Sequence, residues 1–187
     1  MGKRMHRFAC TLGLLLLGLA PVLAEPVTEW NFSQSDAGNY EQGEEGAARF
    51  MRPWLPRPEG HAALTRSFSA RDFHGQRIRL AGTLKTEEAE RVEIVISAAS
   101  GDKADIVRLA VGDGRTAGTM DWRGYELVVD VPDDAARLVI GLQTTGKGTV
   151  WVKDFSLEVV GANVAVTASA SPWNMPQRQP VNTSFDP

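Results

Sequence analysis

The stretch GLQTTGKG, Gly141 to Gly148, carries the residue types that grip a phosphate. Gly141, Gly146 and Lys147 fit the pattern Gly, four residues, Gly-Lys, Ser/Thr, and Gly148 stands where a magnesium-binding hydroxyl belongs. That pattern works where it joins a strand to a helix, because loop N–H groups and the helix N-terminus together cradle the phosphates. Here both flanks read as strands, RLVIGL before and TVWVKDF after. Two strands joined by a Gly-containing turn read as a hairpin. Lys147 is then a solvated tip residue, and no nucleotide is expected.

Hydrolytic chemistry is equally thin. His61 and His74, the histidines beyond the first 24 residues, lack a zinc-binding spacing. There is no Gly-x-Ser-x-Gly nucleophile elbow. The carboxylates of Glu44-Glu45 and of Glu87, Glu88 and Glu90 come in runs that read as solvated faces, not as the separated acid pair of a glycosidase. A non-catalytic protein is expected. The aromatic residues are better candidates, since aromatic faces pack on the apolar faces of sugar rings. Trp54 sits in MRPWLPRPEG between Pro53 and Pro56, beside Arg52 and Arg57. Binding residues concentrate on loops of this kind; the alternative is a Trp that plugs one end of the fold. Tyr40 in GNYEQG is a further candidate contact. Trp122 and Trp151 read either as packing residues of a sheet or as a stacking platform. Trp173, in SPWNMP, lies in the tail.

The elements that must position these residues are strands. QRIRLAGTLKT puts Ile78, Leu80, Gly82 and Leu84 on one face and Arg77, Arg79, Ala81, Thr83 and Lys85 on the other. RVEIVISAA, YELVVDVP, ARLVIGLQ and TVWVKDFSLEVV alternate in the same way. Turn residues at Gly101, Gly112, Asp121, Pro132 and Gly146 punctuate them. KTEEAER, Lys85 to Arg91, reads as a short acidic turn, and residues 41–62, rich in Gly, Pro and charge, as a long loop. Short strands at spacings of about ten residues predict an all-β antiparallel sandwich over residues 25–160. Residues 161–187 are low in complexity and read as a tail, disordered or draped on the surface.

The N-terminus begins with Lys3, Arg4 and Arg7, continues through the apolar run Phe8 to Leu19, and closes with Pro21 and the small-residue signal VLA. Residues 1–24 therefore read as a signal peptide, with a periplasmic or extracellular destination. The apolar run is shorter than the ~20 residues of a membrane-spanning helix, and no later segment is apolar enough to span. Removing 24 of 187 residues leaves 163, with 17 basic residues against 23 acids and no cysteine, since Cys10 leaves with the leader. No disulfide can form, so the core alone must hold the fold. The acidic balance and the absence of a helix-turn-helix pattern speak against nucleic acid.

A longer signal runs from Gly118 to Val160, with Gly118, Asp121, Trp122, Tyr125, Pro132, Gly141, Gly146, Gly148, Trp151 and Asp154 in characteristic order. It resembles the closing half of a bacterial jelly-roll module of the galactose-binding-like, carbohydrate-binding-module type, and SFSARDFHGQRIRLAGTLKT resembles the strand pair before it. The resemblance spans about residues 27–160. It implies a jelly roll and a carbohydrate ligand. Modules of this type occur with glycosidases and in transcriptional regulators. They hold a structural calcium partly through the acid at Asp154 and residues near the first strand; Lys153 here takes the place of the usual second acid, and calcium requires six to eight oxygens. The leading expectation is a secreted carbohydrate-binding module with contacts from Trp54, Tyr40, Arg52 and Arg57. The rival is an envelope module that uses the same sandwich to hold a protein partner, since fold does not fix function.

Overall fold

The structure, a computed structural model, describes residues 25–26, 29–36, 38–100, 103–111 and 116–167. The described strands are β1 (Glu25–Pro26), β2 (Asn31–Gln34), β3 (Tyr40–Glu45), β4 (Ala48–Pro53), β5 (His61–Ser69), β6 (Arg77–Ala89), β7 (Arg91–Ser100), β8 (Lys103–Val111), β9 (Gly118–Asp130), β10 (Arg137–Thr145) and β11 (Thr149–Val160). They form two antiparallel sheets. The front sheet runs β3-β4-β11-β6-β9, with β1 also paired to β11; the back sheet runs β2-β5-β10-β7-β8. One 3-10 turn, Arg71–Phe73, precedes β6. The expected all-β sandwich is the fold that forms.

Alternation explains the core. On β6, Ile78, Leu80 and Leu84 are buried between the sheets while Arg77, Arg79 and Lys85 lie on the other face. They meet Leu64, Val92, Ile94, Ile96, Leu138, Ile140 and Leu142 of the back sheet. Full burial of each large aliphatic side chain stabilises the fold by about 1.5–3 kcal/mol.

In β11 a bulge interrupts the alternation. Val150 and Val152 face the core, and the register against β6 then slips between Lys153 and Ser156. Asp154 absorbs the extra residue at φ +57°. Unbroken alternation would turn Asp154 into the core and Phe155 to solvent. With the bulge, Asp154 is exposed and Phe155, Leu157 and Val159 pack inward. Phe155 takes the space over Gly82, where a Cβ would fall 2.2 Å from its ring. Its ring also meets Trp30 edge-on, with centroids 5.1 Å apart.

Two expectations need correction. Most of residues 41–62 is not loop: β3 and β4 form a hairpin turned at Gly46-Ala47, and only residues 54–60 remain outside strands before β5. The charged surface residues Glu41, Glu44, Arg49 and Arg52 hid an inward set of Tyr40 and Met51. The acidic segment 85–91 is no free turn but the end of β6 and the start of β7. The first seven residues of the predicted tail are ordered against the front sheet. The Arg77 guanidinium donates to both carboxylate oxygens of Asp130, at 2.7 and 2.9 Å, and to the carbonyls of Ala162 and Val164, at 2.8 and 2.5 Å. The hydrogen bond from Arg77 holds the Asp130 carboxyl below the usual carboxylate range. Thr167 then bonds the free edge of β9 twice: its N–H donates to the Val128 carbonyl at 2.9 Å, and its hydroxyl accepts from the Val128 N–H at 2.9 Å. The signal-peptide segment 1–24 and the rest of the tail, with Trp173, lie outside the described residues.

Replacing Gly82 by Ala should force Phe155 from its place and cost about 1–3 kcal/mol, read as a fall in Tm of roughly 2–4 °C per kcal/mol. An unchanged Tm would show that Phe155 repacks freely and that the bulge does not depend on Gly82.

Candidate functional site

The outward face of the front sheet gathers aromatic and cationic side chains in one band. Trp151 on β11 is the direct cross-strand partner of Phe50 on β4 and of Lys85 on β6. One strand further on, Trp122 of β9 stands beside a register slip between Leu84 and Thr86. Phe50 lies flat over Gly43, whose Cβ would meet the ring at 2.5 Å. Each ring carries a cation. Arg52 sits 4.8 Å from the Phe50 centroid, Lys85 5.0 Å from that of Trp151, and Lys153 4.3 Å from that of Trp122. Phe50 is buried under this cover, Trp151 is half-buried and Trp122 is 37% exposed. The Trp151 indole N–H donates to Glu45 Oε2 at 2.8 Å, which fixes the ring across β4.

Beside the band the face sinks into a shallow depression of about 420 Å³. Ala81, Thr83 and Gly124, small residues that are direct or neighbouring partners on β6 and β9, form its floor. Arg79, Asp154 and Glu158 stand at its rim. The Arg79 Nε donates to Glu158 at 2.6 Å and its Nη1 to Glu126 at 3.2 Å, so one guanidinium bridges two carboxylates. Stacking surface, small floor and charged hydrogen-bonding rim together suit a ligand with an apolar face and many hydroxyls.

The residues expected to bind divide. Trp54 is 63% exposed in the 54–60 loop, next to Leu55 at 49%, and its N–H is anchored on the Asn39 carbonyl at 2.8 Å. Arg57 is exposed in the same loop. Arg52 lies on the front face, paired with Glu41 and laid over Phe50. These three lie together at the end of β4 and in the loop that follows it. Tyr40 is a correction: it is 2% exposed, on the inward side of β3. Its hydroxyl accepts from the Gly146 N–H at 3.0 Å and faces the carbonyls of Gly60 and Gly146, both at 3.3 Å. A polar tip that can be satisfied by backbone permits this burial, and it removes Tyr40 from any ligand surface. Phe50, Lys85 and Lys153 were not among the binding residues expected from the sequence. Their significance lies in cross-strand register, which spacing along one strand does not display.

The near-phosphate-loop is a hairpin turn. Thr149 begins β11 immediately after Gly148, so a strand follows where a helix would be needed. The Gly146 N–H goes to Tyr40, the Lys147 N–H to Glu90 at 3.4 Å, and Lys147 itself reaches Glu88. Two of the amides that would face a phosphate are thus already bonded. Asp154 is exposed at the bulge, and no group of three or more His, Cys, Asp or Glu side chains that could hold a metal occurs among the described residues. Among the described residues, then, no cluster of acidic side chains stands beside Asp154 to supply the several oxygens calcium takes. Nor do the histidines build a catalytic pair: His74 Nε2 lies 2.6 Å from the Ala135 carbonyl, which fixes it as a donor to backbone.

No protein-family model matches the chain. The uncharacterized HTH-type transcriptional regulator YbfP of Bacillus subtilis (strain 168) is 28% identical over 153 residues, which cover 81% of this chain and 51% of that protein. The chain thus spans about half the length of this curated relative. Among solved structures, a CBM4 structure superposes with a TM-score of 0.54 at 15% identity, covering 70% of this chain and 86% of that one. The family 11 carbohydrate-binding module of the cellulosomal cellulase Lic26A-Cel5E of Clostridium thermocellum gives 0.50 at 11% identity, over 75% and 97%. The enzymatically active domain of tailspike protein 4 of bacteriophage CBA120 gives 0.54 at 15% identity, over 70% of this chain and 19% of that one. The likeness is one of fold: the chain has the jelly-roll sandwich of carbohydrate-binding modules.

Burial raises the Tyr40 hydroxyl above its ordinary value of 10.0, with Glu90 adding to the shift and the bond from Gly146 opposing it. A raised pKa gives a contribution to stability that is complete below about pH 10 and lost as pH climbs toward the folded value. Tyr40→Phe should cost about 1–3 kcal/mol at neutral pH, because Gly146 is left unpaired, and should flatten the alkaline loss above pH 10 in urea unfolding. A variant that keeps both the stability and the alkaline slope would contradict this role.

Proposed function

We propose that the chain is a non-catalytic carbohydrate-binding module, acting in the periplasm or outside the cell, and that its ligand lies across the outward face of the front sheet. The observation that carries this reading is the pair Trp151 and Trp122 on the outward face, beside a depression lined by Ala81, Thr83 and Gly124, with Phe50 buried next to Trp151 under Arg52. Exposed indole faces suit the apolar faces of sugar rings, and Arg79, Asp154 and Glu158 supply directional partners for hydroxyls. Arg52 covers Phe50 near the end of β4, and the loop with Trp54 and Arg57 follows that strand directly. That loop is the natural flank of the same site. The kinship in fold with carbohydrate-binding modules supports the reading without deciding it.

A second reading has its own observation. Trp54 and Leu55 are adjacent, large, apolar and exposed on one loop, which also suits a protein partner in the cell envelope. Purified residues 25–187 should bind at least one polysaccharide in a glycan screen with a dissociation constant of about micromolar to millimolar. Trp122→Ala and Trp151→Ala should weaken it about tenfold or more, and Trp54→Ala less. If loss is confined to Trp54→Ala, the site belongs to the loop. A folded protein that binds no glycan at all would sink the proposal in favour of the envelope partner.

A further inference from the structure

The cations of the front face do not all have the same standing. Arg52 is paired with Glu41, and Arg79 with Glu158 and Glu126. Lys85 and Lys153 form no ion pair among the described residues, and each ammonium instead rests on an indole, Lys85 on Trp151 and Lys153 on Trp122. None of the nearby acids forms an ion pair with either lysine among the described residues, and this includes exposed Glu87, two residues along β6 from Lys85. Glu45 accepts the Trp151 indole N–H, and Glu126 and Glu158 hold Arg79. Asp154 follows Lys153 directly, but at positive φ in the bulge it forms no ion pair with it and borders the depression instead. Lys85 and Lys153 stand on neighbouring strands, with Trp151 and Trp122 about 10 Å apart across two strand spacings.

This arrangement discriminates among sugars. A neutral ring that stacks on either indole must push the ammonium off the aromatic face and gains no charge in return. A ring that bears an anionic group can lay its apolar face on the indole and draw the ammonium onto the anion. Lysine suits this as a compact charge on a flexible stem, and an anion gives it the charged partner the protein withholds. Taking the carbohydrate-binding reading as its premise, we propose that the front face selects anionic polysaccharide, with Lys85 and Lys153 holding carboxylate or sulfate groups on rings stacked against Trp151 and Trp122.

The test measures binding of residues 25–187 to polygalacturonate and alginate, to fully methyl-esterified polygalacturonate, to dextran sulfate and to neutral dextran, for the wild type and for Lys85→Gln, Lys153→Gln and the double variant. Circular dichroism and Tm confirm the fold of each; both lysines are surface residues whose loss leaves the core intact. The expected result is binding to a uronate or a sulfated chain, at least tenfold weaker for the neutral counterparts, reduced tenfold or more in the double variant, and declining with added salt. Binding to alginate or polygalacturonate identifies carboxylate, and binding to dextran sulfate alone identifies sulfate. Equal binding of esterified and free polygalacturonate, or neutral binding that the lysine variants leave unchanged or tighten, overturns the anionic selection and keeps the carbohydrate reading. Anionic binding that is insensitive to both lysines, and to Trp122→Ala and Trp151→Ala, overturns the assignment to this face. No binding to any of the chains, charged or neutral, by the folded wild type overturns both.

Discussion

The front face exists in its present form because Asp154 adopts a left-handed backbone. A residue there with φ +57° costs conformational energy of order 1 kcal/mol that Gly or Asn would reduce. The strain is offset by what the bulge reorganises. It holds Trp151 and Lys153 on the outside above the slip and Ser156 and Glu158 on the outside below it, while the inward set passes from Val150 and Val152 to Phe155, Leu157 and Val159. Gly82 is the counterpart on β6, leaving the room that the Phe155 ring takes. The band and the depression are therefore two halves of one face joined at a single irregular residue.

Much of this architecture was legible because period-two alternation is a direct trace of burial. Ile78, Leu80 and Leu84 declared the inner face of β6, and Leu138, Ile140 and Leu142 that of β10. The order of Gly, Trp, Pro and Asp from Gly118 to Val160 pointed to the jelly roll that forms. What stayed hidden depends on partners distant in sequence. The β3–β4 hairpin is short and mostly polar outside, so its charge outweighed Tyr40 and Met51. The burial of Tyr40 rests on Gly60 and Gly146, the latter 106 residues away. Phe50, Trp151 and Lys85 form a row only through the register of three strands, and Trp122 joins them through a slip that no local pattern announces.

Electrostatics divides the face that packing built. Three of its arginines are committed to acids: Arg52 to Glu41, Arg79 to Glu126 and Glu158, and Arg77 to Asp130. Such exposed pairs contribute little to stability individually, but they fix side chains in place and settle which charges stay available. The result is a surface whose net charge says little about its local preferences: an acidic chain presents two uncommitted ammonium groups on its aromatic band.

The two bonds between Thr167 and Val128 also bear on how copies of this chain meet. β9 is the outermost strand of the front sheet, and an outermost strand is an unfinished ladder, open to any extended chain that approaches side-on. Thr167 answers the donor and acceptor of Val128 from within the molecule, and Arg77 pins the segment that carries it. An incoming strand thus finds this rung of β9 already filled. At that rung, side-on pairing with a second strand would first have to displace the chain's own segment.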